Sequence, residues 1–172
     1  MTAPVASPSR AEAIAETPRV DARLLPWLAF IRAHAAVYRT LESELEAEQS
    51  MSLADYDALV QLAIADHQRL RMNELAACLV LTRSGVSRLV DRLEADGYVQ
   101  RVACSTDARG AFATLTAAGL ERLRTASPTH LRGVDEHFLD AIPSADRDAF
   151  VRVLEAIVAG MDPDPREASA DL

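Results

Sequence analysis

One helical face in the middle of the chain combines arginine and serine side chains. Five polar residues recur there at helical spacing: Arg83, Ser84, Ser87, Arg88 and Asp91. Apolar residues form a stripe on the opposite face: Val86, Leu89, Val90 and Leu93. In the major groove of duplex DNA, arginine donates two hydrogen bonds to guanine, and hydroxyl groups contact bases or phosphates. The spacing therefore predicts a helix that packs from behind and presents its polar face to DNA.

Both ends of this helix are specified locally. Thr82 is a suitable N-cap, and Asp96 with Gly97 predicts the helix end, because glycine adopts the left-handed conformation that closes a helix. An apolar stripe of the same periodicity precedes it: Met72, Leu75, Ala76 and Leu79. Two short helices therefore share a tight turn. Gly85 inside the second helix costs about 1 kcal/mol relative to alanine, which fits either a close approach to a helix or DNA or a tolerated small residue.

Two strands are predicted directly after this helix pair, at residues 98 to 104 and 111 to 116. The polar hairpin tip between them contains Asp107 and Arg109. An arginine at such a tip can enter the minor groove, whose negative potential attracts it, and Asp107 would orient it. A helix-turn-helix followed by a hairpin is a winged helix. We therefore expect a mainly α fold of the α+β winged-helix class.

Long amphipathic segments flank this region. The first is predicted as one helix over about residues 22 to 49, with a stripe at steps of three and four: Trp27, Phe30, Ile31, His34, Tyr38, Leu41 and Leu45. A bent helix interrupted at Pro128 and a final helix, with Ser144 as its candidate cap, follow the strands. So small a core cannot cover these stripes, so pairing of two chains would bury them. The alternative is a monomer with an amphipathic terminal helix.

These elements predict the domain organisation. We expect a disordered tail at 1–20, a dimerisation helix at 21–50, a winged helix-turn-helix domain at 51–117, C-terminal dimerisation helices at 118–161 and a flexible tail at 162–172. Ser52 and Asp55 resemble a capping box at the start of the winged domain.

The residues from Leu81 to Val99, the wing sequence 107–110 and the segment 115–119 together resemble the MarR family of bacterial transcriptional regulators. The resemblance extends over about residues 23 to 160. It implies a homodimer that binds a pseudo-palindromic operator in double-stranded DNA, usually as a repressor, and that a small aromatic or phenolic ligand often releases. The expected DNA-binding residues lie on the recognition helix, at its cap, on the wing and just before the helix pair: Arg71, Thr82, Arg83, Ser84, Ser87, Arg88, Asp107 and Arg109.

Arg71 departs from the family pattern. It stands where related sequences usually place a small polar cap, so both a phosphate contact and a solvated surface position fit it.

An effector site is expected where the family often binds ligands, between the dimerisation helices and the winged domain. Its candidate residues are Trp27, Phe30, His34, Tyr38, Tyr56 and Asp57. An aromatic stripe at this spacing also fits plain core packing, and His34 fits an interface histidine. Asp57 and Arg92 are placed like polar residues of urate-responsive relatives, although Trp27 does not align with the aromatic residue that those relatives add.

The overall charge argues against a protein that coats DNA by bulk electrostatics. The net charge is -8, but residues 69 to 110 hold seven arginines against five acids, a local excess of two positive charges. All 18 basic residues are arginine, which favours forked contacts to phosphate and guanine or reflects a GC-rich genome.

Other functional classes find little support. A chain of 172 residues fits one domain. It contains no phosphate-binding glycine loop and no nucleophile elbow, so we expect no enzyme, no catalytic residues and no cofactor. The histidines lack metal-ligand spacing, which predicts no metal site. A winged helix used for protein contact without DNA binding is the main alternative.

The cysteines and the apolar segment near residue 24 bear on where in the cell the protein resides. Cys78 and Cys104 fall far below the density of a disulfide scaffold, so a reducing cytoplasm and buried inert thiols are expected, with a thiol-based redox-sensing regulator as the alternative. Residues 24 to 31 loosely imitate a signal peptide, but acidic residues precede them and Arg32 interrupts the apolar run. We expect neither export nor membrane association.

Overall fold

The computed structural model describes residues 21–103 and 111–160. They divide into two compact units, one ending at Ala36 and one beginning at Val37. The predicted tails at 1–20 and 162–172 lie outside the described residues, as do Cys104 and the hairpin tip with Asp107 and Arg109.

Helices dominate the described chain, and one small sheet accompanies them. The helices are α1 (Leu25–Gln49), α2 (Leu53–Ile64), α3 (Met72–Cys78), α4 (Arg83–Ala95), α5 (Ala117–Val134) and α6 (Arg147–Ala159). The strands are β1 (Arg69–Arg71), β2 (Val99–Ala103) and β3 (Ala111–Leu115), and they form an antiparallel sheet in the order β1-β3-β2. The predicted mainly α winged-helix class is confirmed.

The long helix α1 begins after a short 3-10 turn at Ala22–Leu24, in agreement with the predicted helix over residues 22 to 49. In the first unit, the exposed rings of Trp27, Phe30 and His34 follow one another along α1, with centroids 6.2 and 6.3 Å apart. In the second unit, Leu41 and Leu45 of the same helix are buried in the core.

The start of α2 differs in one detail from the predicted capping box. Ser52 Oγ accepts a hydrogen bond from the backbone N–H of Asp55 at 3.1 Å, as expected. The Asp55 carboxylate does not return the bond, because it accepts from Arg92 instead. The N–H of Leu53, the first residue of α2, donates to Glu42 Oε2 at 2.6 Å, so α1 satisfies a further free N–H at this helix start.

The sheet contains one strand that the sequence did not predict. β1 pairs with β3, with Leu70 opposite Ala113, while β2 pairs with the other edge of β3. The predicted strands at 98–104 and 111–116 correspond to β2 and β3. The sequence Arg-Leu-Arg of β1 is too short to show an alternating pattern, and its pairing partner lies more than 40 residues away.

The core of the second unit joins every layer of the winged domain. Its largest fully buried side chains come from five elements and are Leu45, Leu59, Leu62, Leu75, Val86, Val90, Leu93 and Val99. A contiguous core of this kind holds α4 against α2, α3 and β2.

Two details predicted for the C-terminal helices were wrong, the interruption at Pro128 and the cap at Ser144. α5 continues through Pro128 as one helix, because Ala126 and Thr129 on either side are buried and their packing outweighs the lost N–H. A π-helical turn at Asp135–Leu139 follows instead. Ser144 does not cap α6, since a turn closed by the Asp146 N–H and the Pro143 carbonyl at 2.9 Å places it before the helix.

The helix α6 exposes a large apolar surface. Five of its side chains are between 37% and 66% exposed: Phe150, Val151, Val153, Ile157 and Val158. Phe150 also contacts Phe138, with ring centroids 5.8 Å apart. Among the described helices, none is both long enough and apolar enough to cross a membrane.

The turn between α3 and α4 carries a testable strain. Val80 has φ 52°, and its side chain is 92% exposed. Because the left-handed region costs an L-residue about 1–2 kcal/mol and glycine tolerates it, Val80→Gly should raise the free energy of unfolding by about 1 kcal/mol in urea denaturation.

The control is Ala47→Gly, an exposed position inside α1 with ordinary helical geometry. This change should lower the free energy of unfolding by about 1 kcal/mol. Equal losses from both substitutions would show that the turn at Val80 is unstrained.

Candidate nucleic-acid interface

The helix α4 turns one face to the core and the other to solvent. Its apolar residues are at most 2% exposed: Val86, Leu89, Val90 and Leu93. Side chains on the opposite side of the helix must then point outward. Arg83, Ser84 and Arg88 are all exposed, in agreement with the predicted amphipathic helix.

The first turn of α4 is fixed by short polar contacts. Thr82 Oγ1 accepts the N–H of Gly85 at 3.1 Å, which confirms the predicted N-cap, and it lies 3.2 Å from Ser84 Oγ. Arg83 Nη2 donates to Asn73 Oδ1 on α3 at 3.0 Å. This hydrogen bond holds the Arg83 guanidinium between the starts of α3 and α4, while the side chain stays exposed.

Gly85 has a local explanation. A Cβ built there would lie 3.2 Å from Thr82 Oγ1 and 3.6 Å from Leu81 Cβ. The close approach is thus to the capping turn of the same helix rather than to a second helix.

Arg88 is the most available arginine of α4. Its guanidinium is exposed, and within residues 21–103 and 111–160 it has neither an ion pair nor a hydrogen bond. An unpaired, exposed guanidinium keeps all its donors for an external partner. Ser84 shares this outward face, one turn earlier along the helix.

Ser87 and Asp91 are less available than the sequence suggested. Both were expected on the free polar face, but both contact Arg101 of β2. Arg101 Nη2 donates to the carbonyl oxygen of Ser87 at 2.9 Å, and Nη1 pairs closely with the Asp91 carboxylate. The Ser87 side chain is half-buried.

Arg101 is a positioning residue that sequence reasoning missed. In addition to its bonds to Ser87 and Asp91, its backbone N–H donates to Glu94 Oε1 at 2.9 Å. One residue of β2 therefore contacts three positions on α4 and fixes this strand to the helix. The only sequence signal was an arginine on a strand opposite an acidic helix face.

A second ion pair ties α4 to the start of α2. Arg92 Nη2 lies 2.7 Å from Asp55 Oδ1. The carboxylate that pairs with Arg92 is therefore that of Asp55. Arg92 lies in the last turn of α4, so the pair ties that end of the helix to α2.

The C-terminus of α4 leads directly into the wing. Gly97 has φ 77°, and the N–H groups of Gly97 and Tyr98 donate to the carbonyls of Glu94 and Leu93 at 3.0 and 2.8 Å. These paired bonds form a Schellman motif, which requires the left-handed conformation of glycine. The predicted stop at Asp96-Gly97 is confirmed.

Arg71 stands at the N-cap position of α3. Its N–H donates to Glu74 Oε2 at 2.7 Å, so the cap is provided by the glutamate and the arginine backbone. Its side chain is exposed, and the guanidinium carbon lies 5.1 Å from the centre of the Phe112 ring. The predicted phosphate contact stays a prediction.

The candidate effector residues of the second unit occupy different environments. Tyr56 is 5% exposed and stacks on His130 with centroids 4.4 Å apart, which places it in the core. Burial and the neighbouring Glu42 raise the pKa of Asp57 to about 6. Burial, Glu42 and Asp57 also raise the pKa of Tyr38. Tyr38, Glu42 and Asp57 are therefore electrostatic neighbours.

Two surface cavities lie elsewhere. One of about 320 Å³ is lined by residues that include Gln49, Asp55 and Arg122, and one of about 400 Å³ by residues that include Ile64, Arg69 and Phe112. Neither contains a predicted effector residue. Within the described part of the chain, no group of three potential metal ligands comes together.

Comparison with known proteins gives a consistent result. Residues 49–110 match the family model described as the MarR family. A MarR family transcriptional regulator from Streptomyces coelicolor, solved in complex with DNA, is 33% identical, with 86% of this chain and 94% of that chain covered and a TM-score of 0.76. AbsC, a MarR family transcriptional regulator from the same organism, is 29% identical, with 84% and 97% covered and a TM-score of 0.74.

A curated relative agrees with these structures. The transcriptional regulator HosA of Escherichia coli O157:H7 is 30% identical over 99 residues, which cover 58% of this chain and 73% of HosA. Together with the winged helix and its outward arginines, these similarities establish that the chain belongs to the MarR family of transcriptional regulators.

Proposed function

We propose that this MarR family regulator binds a pseudo-palindromic operator as a homodimer and represses transcription until a small ligand releases it. The observation that carries the proposal is the exposed, unpaired Arg88 on a helix whose opposite face is buried. A helix with one face packed in the core can enter the major groove with its other face, where Arg88 donates hydrogen bonds to guanine. The DNA-bound relative from Streptomyces coelicolor supports this use of the fold.

Base contacts and backbone contacts divide among the predicted residues. Arg88 and Ser84 face outward along α4 and suit base edges. Thr82 and Arg83 lie at its first turn, where hydroxyl and guanidinium groups suit phosphates. Ser87 is half-buried, so its hydroxyl would contribute only where the groove wall approaches α4 closely. Asp107 and Arg109 complete the proposed set at the wing.

A homodimer accounts for the apolar surface that one chain leaves uncovered. In the first unit, Trp27, Phe30 and Ile31 are between 41% and 58% exposed. In the second unit, α6 exposes five large apolar side chains. Contiguous apolar surface of this kind is typical of an interface. Two-fold pairing would place two recognition helices about 34 Å apart, matching one helical turn of DNA.

Ligand release has its best support at Asp57. A half-buried carboxylate beside Glu42 and the Tyr38 phenol has lost hydration and gained a like-charged neighbour. Such perturbed groups cluster at functional sites. Asp57 therefore suits a hydrogen-bond donor on an aromatic ligand, such as a phenol or a protonated ring nitrogen. Trp27, Phe30, His34 and Tyr56 stay proposed without further support.

The first test replaces Arg88. Arg88→Ala should weaken binding to the intergenic DNA beside the protein's own gene by about 1–3 kcal/mol and relax base preference, because a bidentate guanine contact is lost. The measurement is a fluorescence anisotropy titration against the operator and against single-base variants of it.

Arg124→Ala is the matched control, because Arg124 is an exposed arginine of α5 whose ion-pair partner in the described part of the chain is Glu121. It should bind like the wild-type protein. Wild-type affinity in the folded Arg88→Ala variant would reject the proposed role, and no binding by the wild-type protein would favour a winged helix used for protein contact.

The second test concerns assembly. Ile157→Asp places a charge on the exposed apolar face of α6 and should convert a dimer to a monomer, because an unpaired buried charge is costly in an interface. Light scattering coupled to size-exclusion chromatography measures this. Gln68→Glu, a charge added at an exposed position outside the predicted dimerisation helices, should leave the dimer intact. A wild-type monomer would contradict the proposal.

The third test uses pH. Native Asp57 keeps its proton to about pH 6, whereas an unfolded aspartate loses it near pH 4, so stability should fall as the pH rises between these values. Asp57→Asn removes this cost. Because the group is half-buried, the gain should reach about 1 kcal/mol at pH 8 and vanish near pH 4 in urea denaturation.

Glu46→Gln, at an exposed position on α1, serves as the control and should change stability little at either pH. Identical unfolding curves for wild type and Asp57→Asn at pH 8 would mean that Asp57 is solvated like a surface carboxylate.

A further inference from the structure

The outer face of the sheet holds two arginines against one phenylalanine. Arg69 and Arg71 alternate along β1, so their side chains share a face, and the register places Arg71 opposite Phe112. The guanidinium carbons of Arg69 and Arg71 lie 4.9 and 5.1 Å from the centre of the Phe112 ring. The two positive charges are therefore at most about 10 Å apart.

Neither charge has an ion-pair partner among the described residues. Both arginines are exposed, and among residues 21–103 and 111–160 neither forms an ion pair with a carboxylate. Glu74 is close, but its Oε2 accepts the backbone N–H of Arg71. In a chain of net charge -8, other arginines of this domain do pair with acids, as Arg92 and Arg101 show. The β1 pair keeps its charge for an external anion.

Phe112 limits the movement of both guanidinium groups. Each guanidinium carbon lies about 5 Å from the centre of the same ring, within the range of a cation–π contact. Each exposed group carries five N–H donors in a fork that matches the oxygen atoms of phosphate. Two forks held beside one ring lose less conformational freedom when they bind phosphate.

The pair is connected to the recognition helix through α3. Arg71 is the residue before α3, and Asn73 in its first turn accepts a hydrogen bond from Arg83 at 3.0 Å. Arg83 at the start of α4 is thus linked through Asn73 and the start of α3 to Arg71, which lies two residues after Arg69 on β1. DNA seated on α4 could extend toward this pair.

We propose that Arg69 and Arg71 bind backbone phosphates that flank the bases read by α4, and that Phe112 positions both guanidinium groups. The inference rests on the proposed function, and it adds Arg69 and Phe112 to the predicted contacts. Phosphate contacts carry no base information, so this site contributes affinity and register to every duplex alike. It also adds to the salt dependence of binding.

A small anion is the less suitable occupant. The cavity of about 400 Å³ beside Arg69 and Phe112 is also lined by Asp66 and Glu74. These two acidic residues disfavour an anion inside the cavity. A duplex would instead meet the exposed arginine side chains from outside it.

The test is a salt titration of operator binding. Each phosphate contact contributes about 0.9 to the slope of log affinity against log salt, so Arg69→Ala should lower that slope by about 1. Between about 50 and 200 mM salt, wild-type affinity should then fall about threefold more than that of the variant. Arg69→Lys should restore the slope, and Arg124→Ala should not change it.

A second duplex separates backbone contacts from base contacts. Arg69→Ala should weaken binding to the operator and to an unrelated duplex by the same factor. Phe112→Leu should weaken both while it keeps the charges, and its folding is checked by circular dichroism. Because Arg69 is an exposed surface residue, its substitution tests the proposal even where the Phe112 variant fails to fold.

The possible outcomes are distinct. An unchanged slope for Arg69→Ala, with normal operator binding by wild type, overturns this inference and leaves the proposed function standing. A loss confined to the operator also overturns it, because the contact then reads bases. If inorganic phosphate binds in a way that requires Arg69, while Arg69→Ala leaves DNA affinity unchanged, the pair is assigned to a small anion. That result overturns the inference as well. Failure of wild type to bind any duplex overturns the proposed function itself.

Discussion

Burial of one face of α4 is the constraint on which the rest of the structure depends. Val86, Leu89, Val90 and Leu93 are at most 2% exposed. Burying each such side chain contributes about 1.5–3 kcal/mol, so rotating the helix to any other angle would expose several of them at once. Arg88 and Ser84 face outward as a direct consequence. Polar contacts then restrict the movement of α4. Asn73 holds its first turn, Asp55 holds its last turn, and Arg101 attaches the strand that leads to the wing.

A chain with a net negative charge can still bind DNA, which is a polyanion, because its charges are distributed unequally over its surface. Acids near α4 are engaged by internal arginines, as Asp55 is by Arg92 and Asp91 by Arg101. In these pairs the arginines hold neighbouring elements together, and they neutralise carboxylates that would otherwise repel phosphate. Arg88, Arg71 and Arg69 lack such partners within the described residues. The net charge of -8 thus describes the whole chain, whereas the proposed interface has its own local balance.

The features that could be predicted well from the sequence are those that depend on the spacing of residues close together in the chain. The buried stripe of α4, the Thr82 cap and the Gly97 stop depend on neighbours within one or two turns, and all three are confirmed. The missed features depend on distant partners: β1 forms only because β3 lies beside it, and Arg101 acts only because β2 returns along α4. Pro128 misled because tertiary packing of its neighbours outweighs its local preference. For the effector residues, sequence spacing could not separate Tyr56, a core residue, from Asp57, a partly hydrated carboxylate.

The central claim is that two copies of α4 read the major groove on the same side of one operator. Dimethyl sulfate protection measures this directly, because the reagent methylates guanine N7, an atom that the major groove exposes. The account predicts two clusters of protected guanines whose centres lie about 10 base pairs apart, related by the symmetry of the operator. A single cluster, or a bound complex whose guanines stay fully reactive, would contradict it.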